Sequence, residues 1–64
     1  MLQLRVIREE EGRKVLWLAR RTGYSISYAS KVEKGILPPS DRFKAKAAEA
    51  MQRPVEELFR LATV

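Results

Sequence analysis

Leu18-Ala19-Arg20-Arg21-Thr22-Gly23-Tyr24-Ser25-Ile26-Ser27-Tyr28-Ala29-Ser30-Lys31-Val32-Glu33-Lys34-Gly35 is the most informative stretch of this chain. Leu18 and Ala19 sit on a helix that is about to end. Gly23 can take the positive φ that a tight turn demands. Ser25 can offer its side-chain oxygen to the orphan N–H groups of a following helix. Ala29 and Val32 lie three apart and so share one buried face of that helix. Gly35 stands where a helix C-terminus favours a left-handed residue. The stretch therefore reads as two short helices joined by a glycine-centred turn.

Outward from this stretch, turn signals divide the chain into five helical segments. The first runs from about Gln3 to Glu11, with Leu4 and Ile7 at helical spacing and Gly12 as its stop. The second covers about Lys14 to Thr22 and the third about Ile26 to Lys34. Ile36-Leu37-Pro38-Pro39 cannot continue a helix, because proline lacks the N–H and restricts the residue before it. Ser40 reads as an N-cap, with Asp41 well placed near the positive helix end. The fourth helix spans about Asp41 to Met51 and is expected to bury Phe43, Ala47, Ala48 and Met51. Pro54 opens the fifth, whose inner face is expected to carry Val55, Leu58, Phe59 and Ala62. No stretch alternates with period two, so strands are not expected. The expected fold class is all-α: one domain over residues 1–64, a compact bundle of five short helices containing a helix-turn-helix.

Composition narrows the function classes. A chain of 64 residues buries a limited core. It has no cysteine, hence no disulfide framework or thiolate metal site, and no histidine, the commonest metal ligand and general base. No metal site, cofactor or small-molecule ligand is indicated, and an enzyme is not expected. No apolar run reaches the length of a membrane span, and the first residues lack the apolar core of a signal peptide. The expected setting is reducing and cytoplasmic, although absence of cysteine by itself fits either compartment. The net charge is +5, from thirteen basic and eight acidic residues, and +4 of it falls within residues 1–35. Phosphate binding suits that asymmetry, as does a basic surface that only confers solubility.

The same residues resemble the Xre/Cro/cI, or lambda repressor-like, family of helix-turn-helix DNA-binding proteins. The resemblance extends from about Leu4 to Phe59. It rests on Leu18-Ala19, Gly23, Ser25, Val32-Glu33-Lys34-Gly35, Pro39-Ser40, Ala48 with Met51, and Glu57-Leu58-Phe59. It implies a sequence-specific regulator of transcription, a repressor rather than an activator, with the third helix in the DNA major groove. It also implies that Ile26, Ser27 and Lys31 reach base edges, with Ser30 often joining them. Chemically, Lys31 can donate to guanine O6 and N7, the serines can donate or accept, and Ile26 can pack on a thymine methyl. Ile26 can equally be a core or dimer contact, and the serines a solvated face. Arg13, Lys14, Arg21, Ser25, Tyr28 and Lys34 are candidates for phosphate contacts, each with a plain surface or packing role as its alternative.

One segment departs from the family. Val15 stands where glutamine is usual, and valine makes no side-chain hydrogen bond. Val15-Leu16-Trp17-Leu18-Ala19 is apolar all round, more than one buried face needs, so Leu16 or Trp17 is expected to be exposed. The alternative function is therefore a protein-interaction module on the same fold, an adaptor or anti-regulator using Val15, Leu16 and Trp17. Leu61 and Val64, apolar beyond the last core turn, are candidates for a homodimer surface; a fraying end is the alternative. The expected partner is double-stranded DNA, with dimerisation left open.

Overall fold

Leu4, Leu18, Val32, Phe43 and Leu58 have no exposed surface, and each comes from a different helix. A computed structural model describes residues 1–62 of the chain. Its helices are α1 (Gln3–Glu10), α2 (Val15–Thr22), α3 (Ile26–Glu33), α4 (Asp41–Met51) and α5 (Val55–Leu58). The architecture is all-α and matches the expected order of five helices. Ile7, Ala19, Ala29, Ala47 and Met51 complete most of the core around those five side chains.

The helix ends follow the local chemistry. Ser25 Oγ accepts from Tyr28 N–H at 3.0 Å, and Ser40 Oγ accepts from Phe43 N–H at 3.1 Å. Both serines thus occupy an orphan donor of the helix they precede. Gly23 closes α2 at φ 79°, with its N–H donating to Ala19 O at 2.9 Å. After α3, Gly35 at φ 81° lets Gly35 N–H reach Val32 O and Ile36 N–H reach Lys31 O. This reciprocal pattern stops a helix through a left-handed residue.

α2 packs against α3 and α4, while α5 bridges α1 and α4. The two ends of the described chain run together. Gln3 N–H donates to Arg60 O at 2.9 Å, and Ala62 N–H donates to Met1 O at 3.0 Å. Leu2 and Leu61 form an isolated antiparallel bridge, although period-two patterning is missing. Backbone hydrogen bonds and burial of Leu2 in the core hold it, so no side-chain alternation is needed.

Several expectations are corrected. α5 is a single turn ending at Leu58, so Phe59 follows the helix and Ala62 belongs to the bridged segment. Val55, Phe59 and Ala62 are half-buried rather than a continuous buried stripe. Ala48 is also half-buried, because Phe43, Ala47 and Met51 take the inner face of α4. The surface expectation for the chain end is not among the corrections: Leu61 is 72% exposed, and Val64 lies outside the described residues.

Candidate nucleic-acid interface

α3 is only eight residues long, too short to be stable alone, so its neighbours must hold it. Ala29 and Val32 anchor it in the core. The turn at Gly23 fixes its approach from α2. Two further attachments come from side chains.

At the N-terminal end, Tyr24 and Tyr28 stack with ring centroids 4.5 Å apart. Each meets the edge or face of Phe43, at 5.3 and 5.2 Å. Such aromatic pairs add stabilisation beyond their buried area. Both hydroxyls then converge on Ser40. Tyr28 Oη accepts from Ser40 N–H at 3.0 Å, and Tyr24 Oη lies 2.8 Å from Ser40 Oγ. The start of α3 is thereby tied to the start of α4.

At the C-terminal end, Glu33 takes two hydrogen bonds from Arg8 of α1. Arg8 Nε donates to Oε2 at 2.7 Å and Arg8 Nη2 to Oε1 at 3.0 Å. The third guanidinium nitrogen donates to Arg13 O in the α1–α2 loop. Arg8 is 7% exposed and Glu33 2%. Hydrogen bonding to Glu33 raises the Arg8 pKa against the opposing effect of burial, with further attraction from Glu33 and Glu9. This clamp escaped the sequence reading. Its signal was present: Arg8 follows Leu4 by four and Glu33 follows Ala29 by four, so each charge falls on a buried stripe. Two opposite charges on buried stripes must find each other or remain costly.

Held in this way, α3 presents Ile26, Ser27 and Lys31 to solvent, with Ser30 half-buried beside them. Ile26 is 45% exposed, which removes the core alternative for it. Ser25 and Lys34 flank the helix at its two ends, both exposed. Ser25 Oγ is occupied as an acceptor by its cap, and Tyr28 Oη by Ser40; both hydroxyls still have a proton to donate. Lys14 is exposed at the start of α2, which has no side-chain cap. Trp17 N–H donates to Lys14 O at 3.0 Å, so within the first turn of α2 the N–H groups of Val15 and Leu16 are the ones suited to an anion.

Arg13 and Arg21 are placed differently. The Arg13 guanidinium lies 4.3 Å from the Trp17 ring centre and that of Arg21 lies 5.6 Å from it. These contacts gather both arginines around α2 rather than along α3. Trp17 is half-buried and packs against the core, whereas Leu16 is 41% exposed. Val15 also packs against the core, half-buried.

No helix among the described residues is long and apolar enough to cross a membrane. Among them there is also no group of acidic residues placed to hold a metal ion. A family model described as a helix-turn-helix domain matches residues 2–61. Comparison with curated proteins and with solved structures finds no match.

Proposed function

Because the chain belongs to the helix-turn-helix domain family, we propose that it is a sequence-specific regulator of transcription that binds double-stranded DNA, of the Xre/Cro/cI type. The observation that supports this reading is the solvent-facing row Ile26, Ser27 and Lys31 on a helix anchored at both ends. A short, fixed helix with free side chains on one side matches what the major groove admits.

In this reading Lys31 donates to guanine O6 and N7, Ser27 and Ser30 bond to base edges, and Ile26 packs on a thymine methyl. Lys14, Lys34, Ser25 and Tyr28 contact phosphates and set the register, with Arg13 and Arg21 adding positive field from α2. Tight placement matters because serine and isoleucine discriminate between bases weakly. The clamp and the tyrosine pair limit the rocking that would blur such contacts. The protein acts in the cytoplasm on the nucleoid, as a repressor that occupies its site. Two copies would read half-sites about one helical turn apart.

Selection of bound sequences from a random duplex pool tests this, at about 50 and about 200 mM salt. An enriched short site is expected, and a palindrome of fixed spacing if the protein acts as a dimer. With about four neutralised phosphates, affinity falls roughly 100-fold between the two salts. Absence of binding at either salt would overturn the reading.

A further inference from the structure

The outer face of α2 carries a second surface, in which Leu16, Trp17 and Arg20 have no part in the DNA reading although Arg13, Lys14 and Arg21 do. Arg13, Lys14, Leu16, Trp17, Arg20 and Arg21 line one cleft, and no residue of α3 contributes to it. Its floor is apolar, with Leu16 41% exposed and Trp17 half-buried. Its rim holds four cations. Residues 12–32 contain no acidic side chain, so the cleft lacks acidic residues of its own segment. Among the described residues, the one ion pair reaching it is Arg13 Nε to Glu11 Oε1 at 3.7 Å. An apolar floor inside a cationic rim in which, among the described residues, Arg13 alone is paired calls for a ligand with the opposite arrangement.

We propose that this cleft docks a separate protein through an acidic segment carrying an apolar anchor. The carboxylates meet Arg13, Lys14, Arg20 and Arg21, while the anchor covers Leu16 and the exposed edge of Trp17. Arginine and tryptophan are the side chains that most often dominate such contacts. Duplex DNA would satisfy the cations but leave Leu16 without a partner outside the major groove. A second copy fits poorly, because its complementary charges lack an anchor. Glu9-Glu10-Glu11 is the acidic run of this chain, and none of the exposed Met1, Leu16, Ile26, Ile36 or Leu61 adjoins an acidic residue in sequence. The proposal shares Arg13, Lys14 and Arg21 with the DNA reading, but it rests on Leu16, Trp17 and Arg20 beside them and survives the failure of that reading.

Trp17 is the single tryptophan, so its emission reports on the cleft directly. The probe is a synthetic peptide, Asp-Glu-Asp-Leu-Phe-Asp-Glu-Asp, titrated into the full chain. A control of equal charge has Ser-Ser in place of Leu-Phe. A saturable change in Trp17 emission is expected, with the control weaker by about tenfold or more, as removal of a buried apolar anchor predicts. Leu16→Ser and Arg20→Glu should each weaken the peptide by a similar factor. Both side chains are exposed, and far-UV circular dichroism checks each fold; if one variant fails to fold, the other carries the test. Any change that duplex DNA produces through Arg13, Lys14 and Arg21 should persist in Leu16→Ser. No saturable response, equal binding of the control peptide, or variants that bind like the parent would overturn the proposal. A change produced by duplex DNA and abolished in Leu16→Ser would overturn it by assigning the face to nucleic acid. A change on concentrating the protein alone would overturn it by assigning the face to a second copy.

Discussion

Arg8→Ala should destabilise this domain severely near neutral pH and less severely in mild acid. The wild-type pair is bidentate, at 2.7 and 3.0 Å, and almost wholly out of water. Breaking such a pair by removing one partner costs about 3–5 kcal/mol, because the other charge stays buried. A domain of 64 residues is held by about 3–10 kcal/mol in total. The folded-to-unfolded ratio should therefore drop roughly 150- to 5,000-fold.

The pH dependence distinguishes the two ways of breaking the pair. In wild type the Arg8 pKa is raised, so its contribution is complete below its ordinary value and is lost only in strong alkali. In Arg8→Ala the Glu33 carboxylate no longer has its cation, and burial favours its neutral form. The folded variant then binds a proton that the unfolded chain releases, so its stability relative to wild type rises as pH falls toward about 4.5. Glu33→Ala leaves a guanidinium that does not titrate there, so that variant gains no stability of its own at this site as pH falls. Replacing both residues, Arg8→Met with Glu33→Leu, should recover most of the stability, since apolar substitutes often equal a buried ion pair. Urea unfolding followed by circular dichroism at about pH 7 and about pH 4.5 measures all four proteins. A cost under about 1 kcal/mol for Arg8→Ala, as for a surface pair, would show that the pair is not buried in solution. A deficit that does not shrink in acid would show that Glu33 is not the stranded charge.

Two smaller changes test the other supports of α3. Tyr28→Phe removes the acceptor of Ser40 N–H and should cost about 0.5–1.5 kcal/mol, read as a lower urea midpoint at unchanged slope. Gly23→Ala meets no neighbour within 4 Å, so only its φ of 79° opposes the substitution. The expected cost is about 1–2 kcal/mol by the same assay, and no measurable cost would mean the turn relaxes out of the left-handed region.

Much of this arrangement was legible in the residues themselves. Gly23, Ser25, Gly35 and Ser40 each act through local backbone chemistry, and each behaves as its type and spacing suggest. Bounds of α4 follow from Pro39-Ser40 and from Met51, and are met without change. Contacts between residues far apart in sequence were less legible. Arg8 and Glu33 are separated by 25 positions, and Tyr28 meets Ser40 across a proline-containing loop. Neither pairing has a periodic signature. Phe59 and Ala62 keep an apolar spacing that suggests a longer fifth helix, while backbone pairing with residues 1–3 draws the chain out of the helix. For the candidate site, residue type and spacing put Ile26, Ser27, Ser30 and Lys31 on the outward side; Ile26, Ser27 and Lys31 are exposed, whereas Ser30 is half-buried. The sequence also required exposure at Leu16 or Trp17, but not which of the two; packing of the Trp17 ring against the core decided that.

The role of α3 is tested most directly by binding anisotropy with the Ser27→Ala, Lys31→Ala double variant. Affinity is compared for the selected duplex and for a scrambled duplex of equal length and composition. Preference for the selected site should collapse, by about 1–3 kcal/mol for each strong base interaction removed, while scrambled-duplex affinity changes only slightly. An unchanged preference in a folded double variant would place base reading outside α3 and contradict the assignment of this helix to the major groove.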